Sequence, residues 1–347
     1  SAVSGTNFTW TVTQTNVTGA SSGSGTSIAQ TLSTAANILT GTAVYTVTPT
    51  SGAGCTGSTL TATATVQVSP TAVSVSPASI TICPGANTTL TASGGAVTVN
   101  ITSGTGASTT NGQTILSTLG PNPMQNYYGG SKEQTMWRAS ELTALGLVNG
   151  SKINSITINL PAANTSYALL NYRVKYQLSN SINSLSTTPV TTGWQTIFGP
   201  QSVTPSVGLN TITFTSPIVW DGNSSLLLEF NFSNNNTGSL TNNTASFNTG
   251  IGYTATNFYR ADNVTAAAVD GFSGTMNFSY SSRNSVRFNV TQPVSYAWSP
   301  ASGLNTSTGA SVVASPASST TYTVSASLTN GCSASFESTV NINPALT

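Results

Sequence analysis

Residues 80–95 read "ITICPGANTTLTASGG", and residues 294–300 read "VSYAWSP". The fold turns on whether these two stretches belong together. The first holds a short strand with Cys83, a Pro-Gly turn, and then Thr89, Leu90, Thr91 and Ala92, alternating polar with apolar. That is how a small β-sandwich begins, and such a domain needs about six more strands. The residues directly after Gly95 do not supply them.

The residues after Gln292 do. "VSYAWSP" puts Tyr296 and Trp298 on either side of Ala297, and "GASVVASP", "TTYTVSASLT" and "SASFESTVNINP" are three further strands. "TNGC", with Asn330-Gly331 at its centre, is a tight turn. The first stretch has a beginning without an end, and the last block has an end without a beginning. Joined, residues 76–96 and 294–344 make one complete immunoglobulin-like sandwich. Residues 97–293 are then a domain inserted between its second and third strands. Insertion is tolerated where the ends of the guest lie close together. The joined halves bring Cys83, near the start of the second strand, and Cys332, in the last turn, into one domain, and a disulfide between them is expected.

The charges support the same boundary. The 347 residues include eight Lys or Arg and seven Asp or Glu, 4 % in all, against about 25 % in an ordinary domain. None lies in residues 1–131, fourteen lie between Lys132 and Arg287, and the last is Glu337. Before the boundary, residues 1–70 read as strand after strand. "NFTWTVTQTNV" sets Phe8, Trp10 and Val12 against Thr9, Thr11 and Thr13, and "TAVYTVTPT" and "TLTATATVQVSP" repeat that period of two. "TAVSVSP" reads as the lead into the next domain. The middle block holds strand-like "KINSITINL", "LNYRVKYQLS", "NTITFTSPIVW", "SSLLLEFNFS" and "NSVRFNV". Its one helix-like stretch, "MWRASELTALGL", should end at Gly146 or Gly150. Regular strand spacing fits a jelly-roll sandwich. The expectation is an all-β chain: two Ig-like sandwiches, the second interrupted by the jelly roll. Trp10 and Trp298 are assigned to the sandwich cores.

The same composition narrows function. A net charge of +1 without a basic stripe gives no nucleic-acid footprint. No apolar run approaches the ~20 residues of a membrane helix. The chain has no His, which removes a Ser-His-Asp triad and most ligands of a zinc site. Glu133, Glu141, Asp221 and Glu229 are the candidates for paired-carboxylate chemistry. Glu229 reads instead as a partner for Arg173 or Arg287, and Asp221 as a turn residue. No two of Asp221, Asp262 and Asp270 fall within a short calcium-ligand loop, and "ADNVTAAAVDG" reads as a surface turn rather than an ion clip. The chain is expected to be non-enzymatic, without metal or cofactor. Aromatic rings can stack beneath sugars, and Tyr127, Tyr128, Trp137, Tyr253, Phe258 and Tyr259 fall in or near predicted loops. They are the candidate polysaccharide platform, against a competing role in packing. Fourteen Asn-x-Ser/Thr sequons, Asn7, Asn16, Asn87 and Asn100 among them, are close to chance in so Asn- and Thr-rich a chain.

"SPASITICPGANTTLTASGG" followed by "YAWSPASGLNTSTGASVVASPASSTTYTVSASLTNGCSASFESTVNINP" resembles the Ig-like repeat of very large surface proteins of Bacteroidota, in which the two pieces are contiguous. Residues 3–70 resemble the PKD-like repeat of the same proteins. "YYGGSKEQTMWRASELTALGLVNGSKINSITI" and "GLNTITFTSPIVWDGNSSLLLEFNF" resemble another of their modules. The resemblance implies export by type IX secretion, an extracellular or cell-surface location, and a role as adhesin or filament component. It also implies that the first repeat lacks a strand before Ser1, together with the cysteine that would partner Cys55. Natural sandwiches guard their edges with charge, Pro or bulges, and the outer blocks have almost no charge. Their edges are therefore expected to be covered by neighbouring domains or by other copies through strand addition. The overall expectation is a structural or adhesive module, with Ig-like domains as spacers and the jelly roll as exposed head. The alternative is a carbohydrate-binding, lectin-like module.

Overall fold

A computed structural model of the chain describes residues 5–36, 38–104, 106, 108–110, 120–239 and 242–343. The chain divides into two compact units, Ser1–Val99 with Gln292–Thr347, and Asn100–Thr291.

The first unit opens with β1 (Asn7–Thr15), β2 (Val17–Thr18), β3 (Gly23–Ser24), β4 (Ser33–Thr34), β5 (Thr40–Thr50) and β6 (Leu60–Gln67). Four of these form an antiparallel sheet in the order β3-β1-β5-β6. The period of two sets the register: Trp10 opposes Val47, Val12 opposes Tyr45, and Tyr45 opposes Ala62, all on one face. The second layer is slight. β2 and β4 share a two-residue ladder, and Val17 packs with Trp10, Ala43 and Tyr45. Trp10 is buried, and its indole N–H donates to the Ser21 carbonyl at 3.2 Å. Gly23 lies against that ring, where a Cβ would come within 2.8 Å of it. At the far end of the same face Leu60 is 74 % exposed.

β7 (Val73–Ser76), β8 (Ser79–Ile82) and β9 (Thr88–Gly94) come next. The stretch "TAVSVSP" is not a lead-in, because it contains β7, which pairs antiparallel with β9 and opposes Val75 to Ala92.

β10 (Thr98–Ser103) runs from the first unit into the second, which contains β11 (Ser108–Thr110), β12 (Gly130–Trp137), α1 (Ala139–Ala144), β13 (Lys152–Leu160), β14 (Leu169–Ser179), β15 (Gln195–Val203) and β16 (Gly208–Val219). It continues with β17 (Ser225–Ser233), β18 (Ala245–Asn248), β19 (Thr256–Ala261), α2 (Ala266–Asp270), β20 (Phe278–Tyr280), β21 (Arg283–Asn284) and β22 (Val286–Thr291). Its sheets run β15-β14-β17-β12-β19-β20, β10-β22-β13-β16, and β11-β18-β21. Ile153, Ile156, Ile158 and Leu160 of β13 are fully buried, as are Leu226 and Leu228 of β17. Trp137 meets Phe288 edge-on with centroids 5.0 Å apart, tying the six-stranded sheet to the four-stranded one. α1 stops where Gly146 takes a φ of 90°, a conformation that suits glycine at a helix end.

The chain returns in β23 (Val294–Ser299), β24 (Ser311–Ala314), β25 (Thr320–Leu328) and β26 (Ser333–Ile342). These join the strands left before the insertion, in the sheets β23-β25-β26-β8 and β24-β9-β7. Leu90 pairs with Val312 across the two halves. Val75, Leu90, Ala92, Trp298, Val312, Tyr322 and Val340 share one core. The stretch 80–95 and the strand carrying Trp298 thus build a single sandwich.

The expected Cys83–Cys332 disulfide does not form; Cys55, Cys83 and Cys332 are all free thiols. The reason is strand direction. β8 runs parallel to β26 with Ile82 opposite Ile342, so Cys83 follows the far end of β26. Cys332 precedes its first residue. The strand between them is 10 residues long, and at about 3.3 Å per residue that is roughly 30 Å, whereas a disulfide needs Cα atoms within about 7 Å.

Candidate functional site

Five of the fourteen charged residues of the second unit, Lys132, Glu133, Glu229, Arg260 and Arg283, are buried. β12 alternates Lys132, Gln134 and Met136 on one face of the six-stranded sheet with Glu133, Thr135 and Trp137 on the other. All eight of its residues are buried, as are all nine of β17, because both faces of the sheet are covered. On the inner face Glu133 and Arg260 form a fully buried ion pair at 3.1 Å, and Glu133 Oε2 also accepts the Asn122 N–H at 2.9 Å. Burial pushes the Glu133 carboxyl up to about 7, against the opposing pull of Arg260 and the Asn122 N–H.

On the outer face Glu229 is met by Lys132 at 3.4 Å and Lys175 at 3.3 Å, and by the Gln134 amide at 2.8 Å. The expected arginine partners are therefore replaced by lysines. Strand register explains this: Lys175 lies directly opposite Glu229, while Arg173 lies opposite Asn231 and reaches Asp270 instead. Lys132 Nζ donates to the carbonyls of Asp270 and Phe272 at 2.9 and 3.1 Å, which fastens the end of α2 to the sheet. A third group joins Glu141, Arg283 and Tyr253, with Arg283 Nη2 at 2.6 Å from Glu141. Asp221 accepts from the N–H groups of Asn223 and Ser224, closing its own turn. Asp262 accepts from the N–H groups of Gly129 and Gly238 at 2.8 and 3.1 Å. Among the described residues no three His, Cys, Asp or Glu side chains meet in a metal-binding group.

The aromatic candidates do not form one platform. Trp137 is fully buried rather than at a loop, and its indole N–H donates to Ser103 Oγ at 2.8 Å. Its place on the inward face of β12 makes it a core residue. Phe258 is likewise fully buried, in β19. Tyr259 is also in β19, and its ring stacks on Phe272 at 3.7 Å. Tyr253 has the Arg138 guanidinium 3.9 Å above its ring. Tyr127 and Tyr128 pack edge-on against each other, half-buried, at 5.0 Å.

The outer face of the four-stranded sheet is different in kind. Asn154 donates to Asn289 at 3.0 Å and Asn289 donates to Asn100 at 2.9 Å, making an amide ladder across three strands. Beside it Arg287 opposes Thr157, and Thr157 exchanges a 2.8 Å hydroxyl contact with Thr211. Asn159 donates to Ser246 Oγ at 3.3 Å at the margin. A cavity of about 290 Å³ opens here, lined by Thr102, Thr157, Asn159, Ser246, Ser285 and Arg287 among others. Of this face the sequence singled out only Arg287, for a different partner, and Asn100, as a sequon. The signal was present: in "NSVRFNVT" every second residue from Ser285 is Ser, Arg, Asn or Thr, and in "KINSITINL" Ser155, Thr157 and Asn159 alternate with apolar residues after the register shift between Ile153 and Ser155.

Among comparisons with known proteins, a family model identifies the N-terminal domain. Residues 1–72 match the model of the PKD-like domain family. A search of curated proteins finds no match to the chain. Among solved structures the chain is similar to the cysteine protease and lectin-like domains of Cwp84, a surface layer associated protein of Clostridium difficile, at 11 % identity, 47 % coverage of this chain, 32 % of that one, and a TM-score of 0.26. It thus spans about a third of that chain's length. It is also similar to carbohydrate-binding modules of the β-sandwich superfamily, at 14 % identity, 69 % and 81 % coverage, and a TM-score of 0.20. A third is the N-terminal eight Ig domains of Down Syndrome Cell Adhesion Molecule, at 9 % identity, 97 % and 50 % coverage, and a TM-score of 0.14.

Proposed function

We infer that the chain is a structural and adhesive module of an extracellular surface stalk or filament. Its PKD-like and Ig-like sandwiches are spacers, and residues 100–291 are the displayed head. The observation that carries this reading is the split sandwich. Strands from both sides of the insertion complete one core around Leu90 and Trp298, so the spacer remains whole while carrying a guest. The module is read as non-catalytic. Glu133, Glu141 and Glu229 each hold a cation, and Asp221 closes a turn. Export by a type IX route rests on the sequence resemblance.

Other copies or neighbouring domains of the same protein are the proposed partners, docking by strand addition. β6 is the outermost strand of its sheet. It has eight residues with no charge, Pro or bulge to guard its free edge. The apolar face it belongs to stays open at Leu60. Sedimentation velocity and negative-stain microscopy of the purified chain over a range of concentrations test this. End-to-end oligomers are expected, and Thr63→Lys in β6 should shift them toward monomer. A chain that stays monomeric throughout would overturn the assembly.

A further inference from the structure

We propose that the cavity around Arg287 binds a carboxylated saccharide, such as a uronate unit of an acidic polysaccharide. The first argument is an accounting of charge. The chain has seven Asp and Glu residues. Glu133, Glu141, Glu229 and Asp270 are held by Arg260, Arg283, Lys132 with Lys175, and Arg173 with Lys175. Asp221 and Asp262 accept from backbone N–H groups. Glu337 belongs to the other compact unit. No side-chain carboxylate of the second unit is left for Arg287. Arg138 covers the Tyr253 ring and donates to the Asn183 carbonyl. Among the described arginines, Arg287 is the one with neither an acid nor a hydrogen-bond acceptor.

That arginine is half-buried in a wall of neutral polar groups. Taking a guanidinium partly out of water without an anion is unfavourable. Its planar fork matches a carboxylate in a bidentate pair. The surrounding groups are those that hydrogen-bond sugar hydroxyls: Thr102, Thr157, Asn159, Ser246 and Ser285. The cavity, at about 290 Å³, stands near the lower limit for small-molecule sites, about 300 Å³. Leu209 also borders a second cavity of about 470 Å³, lined by Gln201, Ser202, Thr204, Thr211 and Thr213 among others. Two cavities meeting at Leu209, the second also lined by the apolar Met124, Phe198, Val203 and Ile212, suit a chain of sugars better than a single one. The Asn154–Asn289–Asn100 ladder holds the neighbouring strands' side chains in place before any ligand arrives, which limits the entropy lost on binding.

This inference rests on residues 100–291 being the displayed head, and its test is independent of the spacer role, which the oligomerisation experiment reads separately. The full chain is titrated by calorimetry with a galacturonate hexamer, with its carboxyl-reduced neutral counterpart, and with polyglutamate. Saturable binding of the galacturonate hexamer alone is expected. Arg287→Gln should weaken it at least tenfold and Thr157→Val should weaken it measurably. Lys152→Gln, an exposed cation of the same sheet, should leave it unchanged. Thermal midpoints of the variants confirm that each is folded. Equal binding of the neutral hexamer or of polyglutamate, no effect of Arg287→Gln in a folded variant, or no binding at all would overturn the proposal.

Discussion

The backbone N–H of Gln292 donates to the carbonyl of Val97 at 2.8 Å. These two residues bracket the insertion, so the chain departs from the split sandwich and rejoins it at one spot. Removing residues 100–291 and bridging the gap with a short Gly-Ser linker therefore leaves a small loop to close. Loop closure scales only with the logarithm of length, about 0.6 kcal/mol per doubling. The shortened chain is expected to keep its β-sheet circular dichroism and a cooperative melt, with the core of Leu90, Trp298 and Tyr322 intact. A non-cooperative melt would show that the sandwich depends on its guest.

The cysteines make a second prediction. With Cys83 and Cys332 at opposite ends of β26, the native protein should titrate three thiols, with Cys55 and Cys83, the exposed ones, reacting first. Cys83→Ser should change stability by no more than about 0.5 kcal/mol, as for an ordinary surface site. Reducing agent should leave the thermal midpoint where it was. A drop of several degrees on reduction would restore the bridge.

Trp137 and Tyr259 separate packing from display. Trp137→Ala removes a fully buried ring facing Phe288 and should cost about 3–5 kcal/mol in denaturant unfolding of the second unit. Tyr259→Ala removes a half-buried ring stacked on Phe272 and should cost distinctly less. Equal losses would mean that Tyr259 is also a core residue.

These residues show how far the sequence could be read. The split sandwich was legible because each half obeys the period of two and neither half is complete alone. The core positions of Trp10 and Trp298 followed from the same alternation. The disulfide failed because pairing direction is a tertiary property: nothing in "ITICPG" states that β8 lies parallel to β26. The loop placement of Trp137 and Phe258 failed for a related reason, while the competing packing role holds for both. Lys132, Glu133 and Gln134 sit in one strand, and alternation assigns polar side chains to solvent. Here α2 and its flanking loop cover the outer face, while Arg260 enters the inner one, so β12 is buried on both sides. Partners that arrive from distant segments leave no local pattern.

The Glu133–Arg260 pair carries a large penalty if broken. Arg260→Met leaves a buried carboxyl group without its cation, which typically costs about 3–5 kcal/mol. The double variant Glu133→Leu with Arg260→Met should recover much of that loss, since well-packed apolar replacements of buried pairs are often near neutral. Chemical denaturation of the wild type, both single variants and the double variant measures the coupling. A double variant no more stable than Arg260→Met would show that the pair's remaining contacts, the Asn122 N–H among them, matter more than its charges.

The same carboxyl sets the pH dependence. Burial holds Glu133 at about 7 in the folded protein, against an ordinary 4.5. Folding therefore takes up a proton between those values, and linkage makes stability fall as pH rises through that window. Glu141 and Asp270 act in the opposite sense. Burial disfavours their charge, but Arg283 and Tyr253 outweigh it at Glu141, and Lys175 and Arg173 outweigh it at Asp270. Both carboxyls lie below their ordinary values, so their contribution is present above 4.5 and 3.8 respectively and is lost as pH falls below them. The thermal midpoint of the second unit should be highest near pH 5 and decline both toward pH 7.5 and toward pH 3. Glu133→Gln, less stable throughout, should lose the decline above pH 5 and keep the acid limb. A wild-type midpoint that rises from pH 5 to 7.5 would mean that Arg260 holds Glu133 ionised across the whole range.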